Sequence, residues 1–132
     1  MSFSFSQLGQ YILHDSSVNS IITQDTTLQF LFKEGYFDMN HQQYSNCSMS
    51  LIIEKLRCFP IDSVCYIEER KGKRISTLTF ASFTKLVKKY AFVIESEYYS
   101  LFENAILLLG NIKNKFICIK ITDIDSISFA TE

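Results

Sequence analysis

Through the first half of the chain, apolar side chains recur at intervals of three and four residues, the period of one helix face. Phe5, Leu8 and Ile12 fall at i, i+3 and i+7, with Ser4 or Ser6 placed to cap the element. Val18, Ile21 and Ile22 repeat the pattern. In "TTLQFLFKEG", Leu28, Leu31 and Phe32 share a helical face, Thr26 and Gln29 have capping-box spacing, and Gly35 stands where a helix would end. Leu28, Phe30 and Phe32 also alternate as on a strand; the end signals favour the helix. Met49, Ile52, Ile53 and Leu56 form another stripe, opened by Ser48 and closed before Pro60.

The second half reads differently. "DSVCYIEE" and "RISTLTF" are rich in β-branched and aromatic residues and flank "RKGK", which predicts a β-hairpin. "SFTKLVKKY" predicts a short helix capped by Ser82, with Phe83, Leu86, Val87 and Tyr90 inward and Lys85, Lys88 and Lys89 outward. "AFVIES" reads as a strand and "SEYYSLFENA" as the start of a helix. "AILLLG" and "KFICIKI" read as buried strands joined by the polar turn "NIKN", and "SISFA" as a closing strand. The predicted fold class is α+β: N-terminal helices followed by a mostly antiparallel β-sheet with one or two further helices. With no repeat or linker, residues 1–132 read as a single globular domain.

Composition supports a packed interior. The chain is 47% hydrophobic with 12 Phe, and it has only 4 Gly and 1 Pro. Its N-terminus lacks the basic and apolar regions of a signal peptide. "AILLLG" falls far short of the ~20 residues that a membrane-spanning helix needs. The expected location is therefore cytoplasmic, without membrane insertion. Cys47, Cys58, Cys65 and Cys118 lack C-x-x-C spacing, as suits thiols in a reducing compartment rather than zinc ligands.

Charge changes the picture more. Residues 1–69 carry a balance of −5, residues 70–89 a balance of +7 with no acidic residue, and residues 90–132 a balance of −3. Arg70, Lys71, Lys73 and Arg74 fall at the predicted hairpin tip and Lys85, Lys88 and Lys89 on one helix flank, so together they could track phosphates. Against this, the pI near 6.1 is low for a nucleic-acid-binding domain.

Candidate catalytic chemistry is sparse. The chain has 2 histidines. In "HDSS", His14, Asp15 and Ser16 are neighbours in sequence, whereas triads assemble from distant segments. Cys47, placed before a predicted helix start, could be activated toward nucleophilic attack with His41 as its base. Asp123 and Asp125 would share a strand face and could hold a cation. No phosphate loop, dinucleotide fingerprint, zinc-protease or nucleophile-elbow motif occurs. The expectation is a binding protein, not an enzyme, with no cofactor and no metal. "EGYFDMNHQQYSNC", with Tyr36, Asp38, His41 and Tyr44, reads as an aromatic, hydrogen-bond-rich loop between helices, with Phe37 tucked into the core.

"LQFLFKEGYFD" followed by "SLIIEKL" resembles a helix–aromatic–acidic element of small bacterial immunity proteins from contact-dependent growth inhibition and polymorphic-toxin systems. The resemblance covers about 30 residues of the chain and brings no functional residue with it. It implies a stoichiometric inhibitor that masks a cognate toxin domain, often with acidic groups against a basic nuclease. The contact residues expected from this chain's own surface are Tyr36, Asp38, His41, Tyr44, Glu95, Glu97, Asp123 and Asp125. The alternative is a nucleic-acid or phosphate-binding module using residues 70–89.

Overall fold

From Thr27 to Phe32 every second side chain is buried: Leu28, Phe30 and Phe32 point into the core and Thr27, Gln29 and Leu31 do not. That period of two belongs to a strand. It recurs through a computed structural model that describes residues 11–24, 27–34, 36–38, 42–45, 49–55, 61, 64–100 and 102–131. In chain order the elements are β1 (Tyr11–Ile12), β2 (Ser17–Val18), β3 (Ser20–Gln24), β4 (Thr27–Phe32), β5 (Tyr36–Asp38), β6 (Gln43–Ser45) and β7 (Met49–Lys55). Then follow β8 (Cys65–Lys71), β9 (Arg74–Leu78), α1 (Phe80–Tyr90), β10 (Phe92–Ser100), β11 (Ala105–Ile112), β12 (Lys115–Ile121) and β13 (Ile124–Thr131).

The fold is therefore mostly β, with α1 the one helix among the described residues and placed mid-chain. This overturns the expected α+β order of N-terminal helices followed by a sheet. The helices expected over Val18–Ile22, Leu28–Phe32 and Met49–Ile53 are strands β2 and β3, β4 and β7, and the helix start expected at "SEYYS" is the far half of β10. The N-terminal helix lies largely outside the described residues; its last position, Ile12, is in β1.

Paired apolar neighbours explain the misreading. Ile21 packs on the core while Ile22 stands exposed, Phe32 is buried and Leu31 half-buried, and Ile53 is buried beside half-buried Ile52. Each pair places one apolar side chain on each sheet face, and in one dimension such pairs imitate the i, i+3, i+4 stripe of a helix.

The strands form a six-stranded antiparallel sheet, β2-β10-β11-β12-β8-β9, a four-stranded one, β13-β7-β4-β3, and a small one, β1-β5-β6. The two larger sheets share one core. Phe30, Phe32 and Ile53 from the smaller meet Phe92, Ile94, Ile106, Leu108, Ile117 and Ile119 from the larger. Two corners join them. At Asn19 the ribbon β2–β3 leaves the larger sheet and enters the smaller: Asn19 N donates to Leu31 O at 2.9 Å, and its side-chain Oδ1 accepts from Lys33 N at 2.9 Å. The second corner runs from β12 through Asp123 into β13. Ile124 N donates to Asn104 O at 3.0 Å, which holds this corner against the β10–β11 turn.

Helix α1 seals the core between the sheets with Phe80, Phe83 and Val87. Phe83 meets Phe92 edge to face, with ring centroids 5.6 Å apart. The cap is Thr79, whose Oγ1 accepts from Ser82 N at 3.1 Å, rather than Ser82 itself. Lys88 and Lys89 in the last turn suit the negative end of the helix dipole.

Two backbone positions constrain the packing. Gly110 faces a bulge in β10, where Glu95 is the extra residue between Ile94 and Ser96. A Cβ on Gly110 would come within 2.0 Å of Val93 O and 2.8 Å of Phe92 Cε1. Ala91, after the helix, holds φ 65° and ψ 150°, a region that glycine tolerates far better. Gly110→Ala should lower the unfolding free energy by about 2–3 kcal/mol through overpacking. Ala91→Gly should raise it by about 1 kcal/mol through relief of strain. Urea midpoints at constant slope measure both; equal stability of Gly110→Ala and the parent would contradict this packing.

Candidate functional site

One face of the six-stranded sheet is filled by the core, and among the described residues no element covers the other, here called the open face. Cross-strand partners share a face, so the register places side chains on the open one. One row runs Tyr98, Leu107, Lys120, Tyr66; the next Ser96, Leu109, Cys118, Glu68, Thr77; the third Val93, Asn111, Phe116, Arg70, Ile75. Leu107, Leu109, Phe116 and Cys118 are half-buried in the middle. Tyr98 and Tyr66 frame them at 56% and 52% exposure, and Phe102, in the turn from β10 to β11, is 99% exposed. Of the seven large apolar side chains exposed among the described residues, Tyr66, Ile75, Val93 and Tyr98 stand on this face and Phe102 at its end. A solvated antiparallel face ordinarily carries polar residues, and this one mixes its polar residues with Val93, Leu107, Leu109, Phe116 and Ile75.

The charged groups there already have partners. Arg70 Nη2 lies 3.2 Å from Glu68 Oε1, and the Tyr66 hydroxyl donates to Glu68 Oε2 at 3.2 Å. The bulge presents Glu95, whose carboxylate accepts from the Asn111 amide. Lys120 pairs with Glu103 at 3.1 Å. Burial first, and then the nearby Glu68 carboxylate, raise the Cys118 thiol above its ordinary pKa, which disfavours the nucleophilic thiolate.

The residues expected as contacts are dispersed. Glu95 is on the open face. Glu97 turns to the opposite, core-facing side, where its Oε1 accepts from Leu13 N at 3.1 Å and its Oε2 from the Tyr99 hydroxyl at 3.0 Å. Asp123 is exposed at the β12–β13 corner with φ 56°, and Asp125 is half-buried at the start of β13. Tyr36, Asp38 and Tyr44 belong to the hairpin β5–β6, with Tyr36 paired to Ser45, Phe37 to Tyr44 and Asp38 to Gln43, so the stretch is not a loop between helices. His41, Cys47 and Cys58 lie outside the described residues. Among the described residues no three His, Cys, Asp or Glu side chains gather as a metal site, and no helix is long and apolar enough to cross a membrane.

The basic residues separate as well. Pairing of Phe116 with Arg70 brings the β8–β9 and β11–β12 turns to the same end of the sheet, and the last turn of α1 arrives there too. Between helix and sheet lies a groove of about 370 Å³ lined by Lys71, Leu86, Lys89, Tyr90, Ile112, Lys113, Asn114 and Lys115. Of the seven cations singled out in the sequence, Lys71 and Lys89 line it; Lys113 and Lys115 come from the β11–β12 hairpin, which the sequence reading had treated as plain turn and strand. Arg70, Lys73 and Arg74 stay exposed around the β8–β9 turn, and Lys85 and Lys88 on the helix surface.

No protein-family model, curated protein or solved structure matches this chain.

Glu97 also links the N-terminal segment to the sheet, because Leu13 is fully buried and its N–H bonds to the carboxylate. Burial raises the Glu97 pKa above its ordinary 4.5, against the opposing pull of the Leu13 and Tyr99 hydrogen bonds. A carboxyl whose folded-state pKa is raised contributes stability that is present below the unfolded value and lost as pH rises through the folded one. Glu97→Gln keeps an acceptor for Leu13 N and removes the titration. The parent should therefore lose stability relative to Glu97→Gln as pH rises from below 4.5 to neutrality. Parallel urea titrations across that range measure the difference; a constant offset would contradict the assignment.

Proposed function

We propose that this chain is a binding protein that acts by covering a partner protein with the open face of its six-stranded sheet, in the cytoplasm and without chemistry of its own. Within that class a toxin domain, the partner of the immunity proteins that the sequence resembles, is the one to test first, although the stretches that carry the resemblance fold as strands β4, β5 and β7 and not as helices. The observation that carries the reading is the concentration of exposed apolar side chains on and beside one sheet face. Contiguous exposed apolar surface marks an interaction site more often than scattered exposed residues do.

The composition of the face favours a different protein over a second copy of this chain. Obligate homodimer interfaces resemble a core cut in half. This face mixes Tyr66, Tyr98 and Arg70 with Leu107, Leu109 and Phe116, the aromatic and arginine enrichment typical of separately folded partners. Apart from Glu95, whose carboxylate accepts from the Asn111 amide, the charges of the face are paired, Arg70 with Glu68 and Lys120 with Glu103 in the adjoining turn. A partner could cover them without leaving an uncompensated buried charge, the costly outcome. The alternative of a nucleic-acid surface along residues 70–89 is weakened by the Arg70–Glu68 pair and by the position of Lys85 and Lys88 outside the groove.

The test is co-purification of the tagged chain with the product of the gene adjacent to its own. A 1:1 complex is expected, and Tyr98→Ala or Leu109→Lys should weaken it about tenfold or more. Lys88→Ala, on the helix surface, should leave it unchanged. Light scattering of the chain alone should give a monomer; a dimer at micromolar concentration that Leu109→Lys dissociates would replace the foreign partner with a second copy.

A further inference from the structure

The groove beside Tyr90 is separate from the open sheet face and raises its own question. Lys89 comes from the helix, Lys71 from the end of β8, and Lys113 and Lys115 from the β11–β12 hairpin. Concentrating four ammonium groups costs electrostatic repulsion, and their compensation is thin. Lys115 pairs with Glu69 at 3.4 Å. Lys71 has no ion pair among the described residues. Lys89 and Lys113 lie over the Tyr90 ring, 5.2 Å and 4.7 Å from its centre, where a π face takes the place of an anion. The negative end of the helix dipole offsets part of the charge, within the last turn only.

Lys113 adds a second observation. It opens the tight turn between β11 and β12 with φ 58°, a left-handed conformation that favours Gly or Asn, although Asn114 stands at the next position. Backbone held in a disfavoured region is a pointer to function. Here it delivers an ammonium to the groove. The remaining wall is apolar, built from Leu86, Ile112 and the Tyr90 ring. The groove thus offers cations to a multiply charged group and a flat apolar surface to whatever is attached to it. Its volume falls within the roughly 300–1,000 Å³ of small-molecule sites, too confined for a duplex.

We propose that this groove binds a nucleoside polyphosphate, with the phosphates held by Lys71, Lys113 and Lys115 and the base packed against Leu86 and Tyr90. The phosphates take over the charge that Tyr90 and Glu69 now compensate. Lys89 and Lys113 then both swing from the ring onto the phosphate chain and free the ring for the base. The site does not depend on the protein partner proposed above, and either can fail without the other.

Calorimetric titration of the intact protein at low salt tests it, with adenosine triphosphate, tripolyphosphate and adenosine as separate titrants. Saturable binding of adenosine triphosphate is expected, about tenfold or more tighter than tripolyphosphate, with no binding of adenosine at about 1 mM. Lys71→Ala and Lys113→Ala should each weaken it about tenfold, while Lys85→Ala and Lys88→Ala stay within about twofold. Lys113→Asn removes the charge and suits the turn, so its loss of binding with unchanged or raised stability excludes misfolding as the cause. The proposal is overturned by absence of saturable binding at about 1 mM, by tripolyphosphate binding as tightly as the nucleotide, or by Lys88→Ala costing as much as Lys71→Ala.

Discussion

A single layer of side chains holds this molecule together. Phe30, Phe32 and Ile53 from one sheet, Phe92, Ile94, Ile106 and Leu108 from the other, and Phe83 from the helix exclude water from the same space. Because side chains alternate along a strand, filling that layer leaves no freedom in the rest. Once Ile106 and Leu108 face inward, Leu107 and Leu109 must face outward, and the same parity sends Phe116 and Cys118 out beside them. The apolar open face is thus the other half of the register that builds the core. A one-residue slip in β11 would exchange the two.

The bulge in β10 breaks that parity once, and in a useful place. With Glu95 as the extra residue, Ile94 remains in the core, and Glu97 and Tyr99 also face inward across from Leu108 and Ile106. Glu95 then joins Asn111 on the open side. Two carboxylates that look equivalent in sequence acquire opposite environments: one hydrogen-bonded on an interaction face, the other half-buried and holding the segment around Leu13.

How far the sequence could be read follows from the same geometry. The hairpin around Gly72, the strands on either side of Lys113 and Asn114, and helix α1 are legible because their signals are local: turn residues and a one-sided apolar stripe. Strands β3, β4 and β7 are not, since Ile21–Ile22, Leu31–Phe32 and Ile52–Ile53 each supply apolar side chains to both faces. The choice between strand and helix there is made by partners distant in sequence, such as Phe30 opposite Leu51 and Ile21. For the candidate site the limit is the same. Lys71 and Lys89 carried a visible signal as part of a basic run. Lys113 and Lys115 join them only through hairpin pairing across β8, β12 and β11, and no spacing along the chain announces that. The open face had a faint signature in "AILLLG" and "KFICIKI", strands apolar at nearly every position. They read as buried on both sides when one side is in fact uncovered.

The outermost strand gives the remaining cations a different meaning. β9 closes the large sheet and, among the described residues, pairs on one side only, with β8. Such a border exposes unsatisfied amide and carbonyl groups and can recruit another chain into a growing ribbon. Arg70, Lys73 and Arg74 cluster where that border begins, and Ile75 beside them is more than half exposed. Charged side chains on a sheet border disfavour such pairing, and two copies meeting in parallel along β9 would bring these basic clusters face to face. The cations that read in the sequence as a run along the chain thus become, in the folded chain, a charge at one end of an uncovered strand.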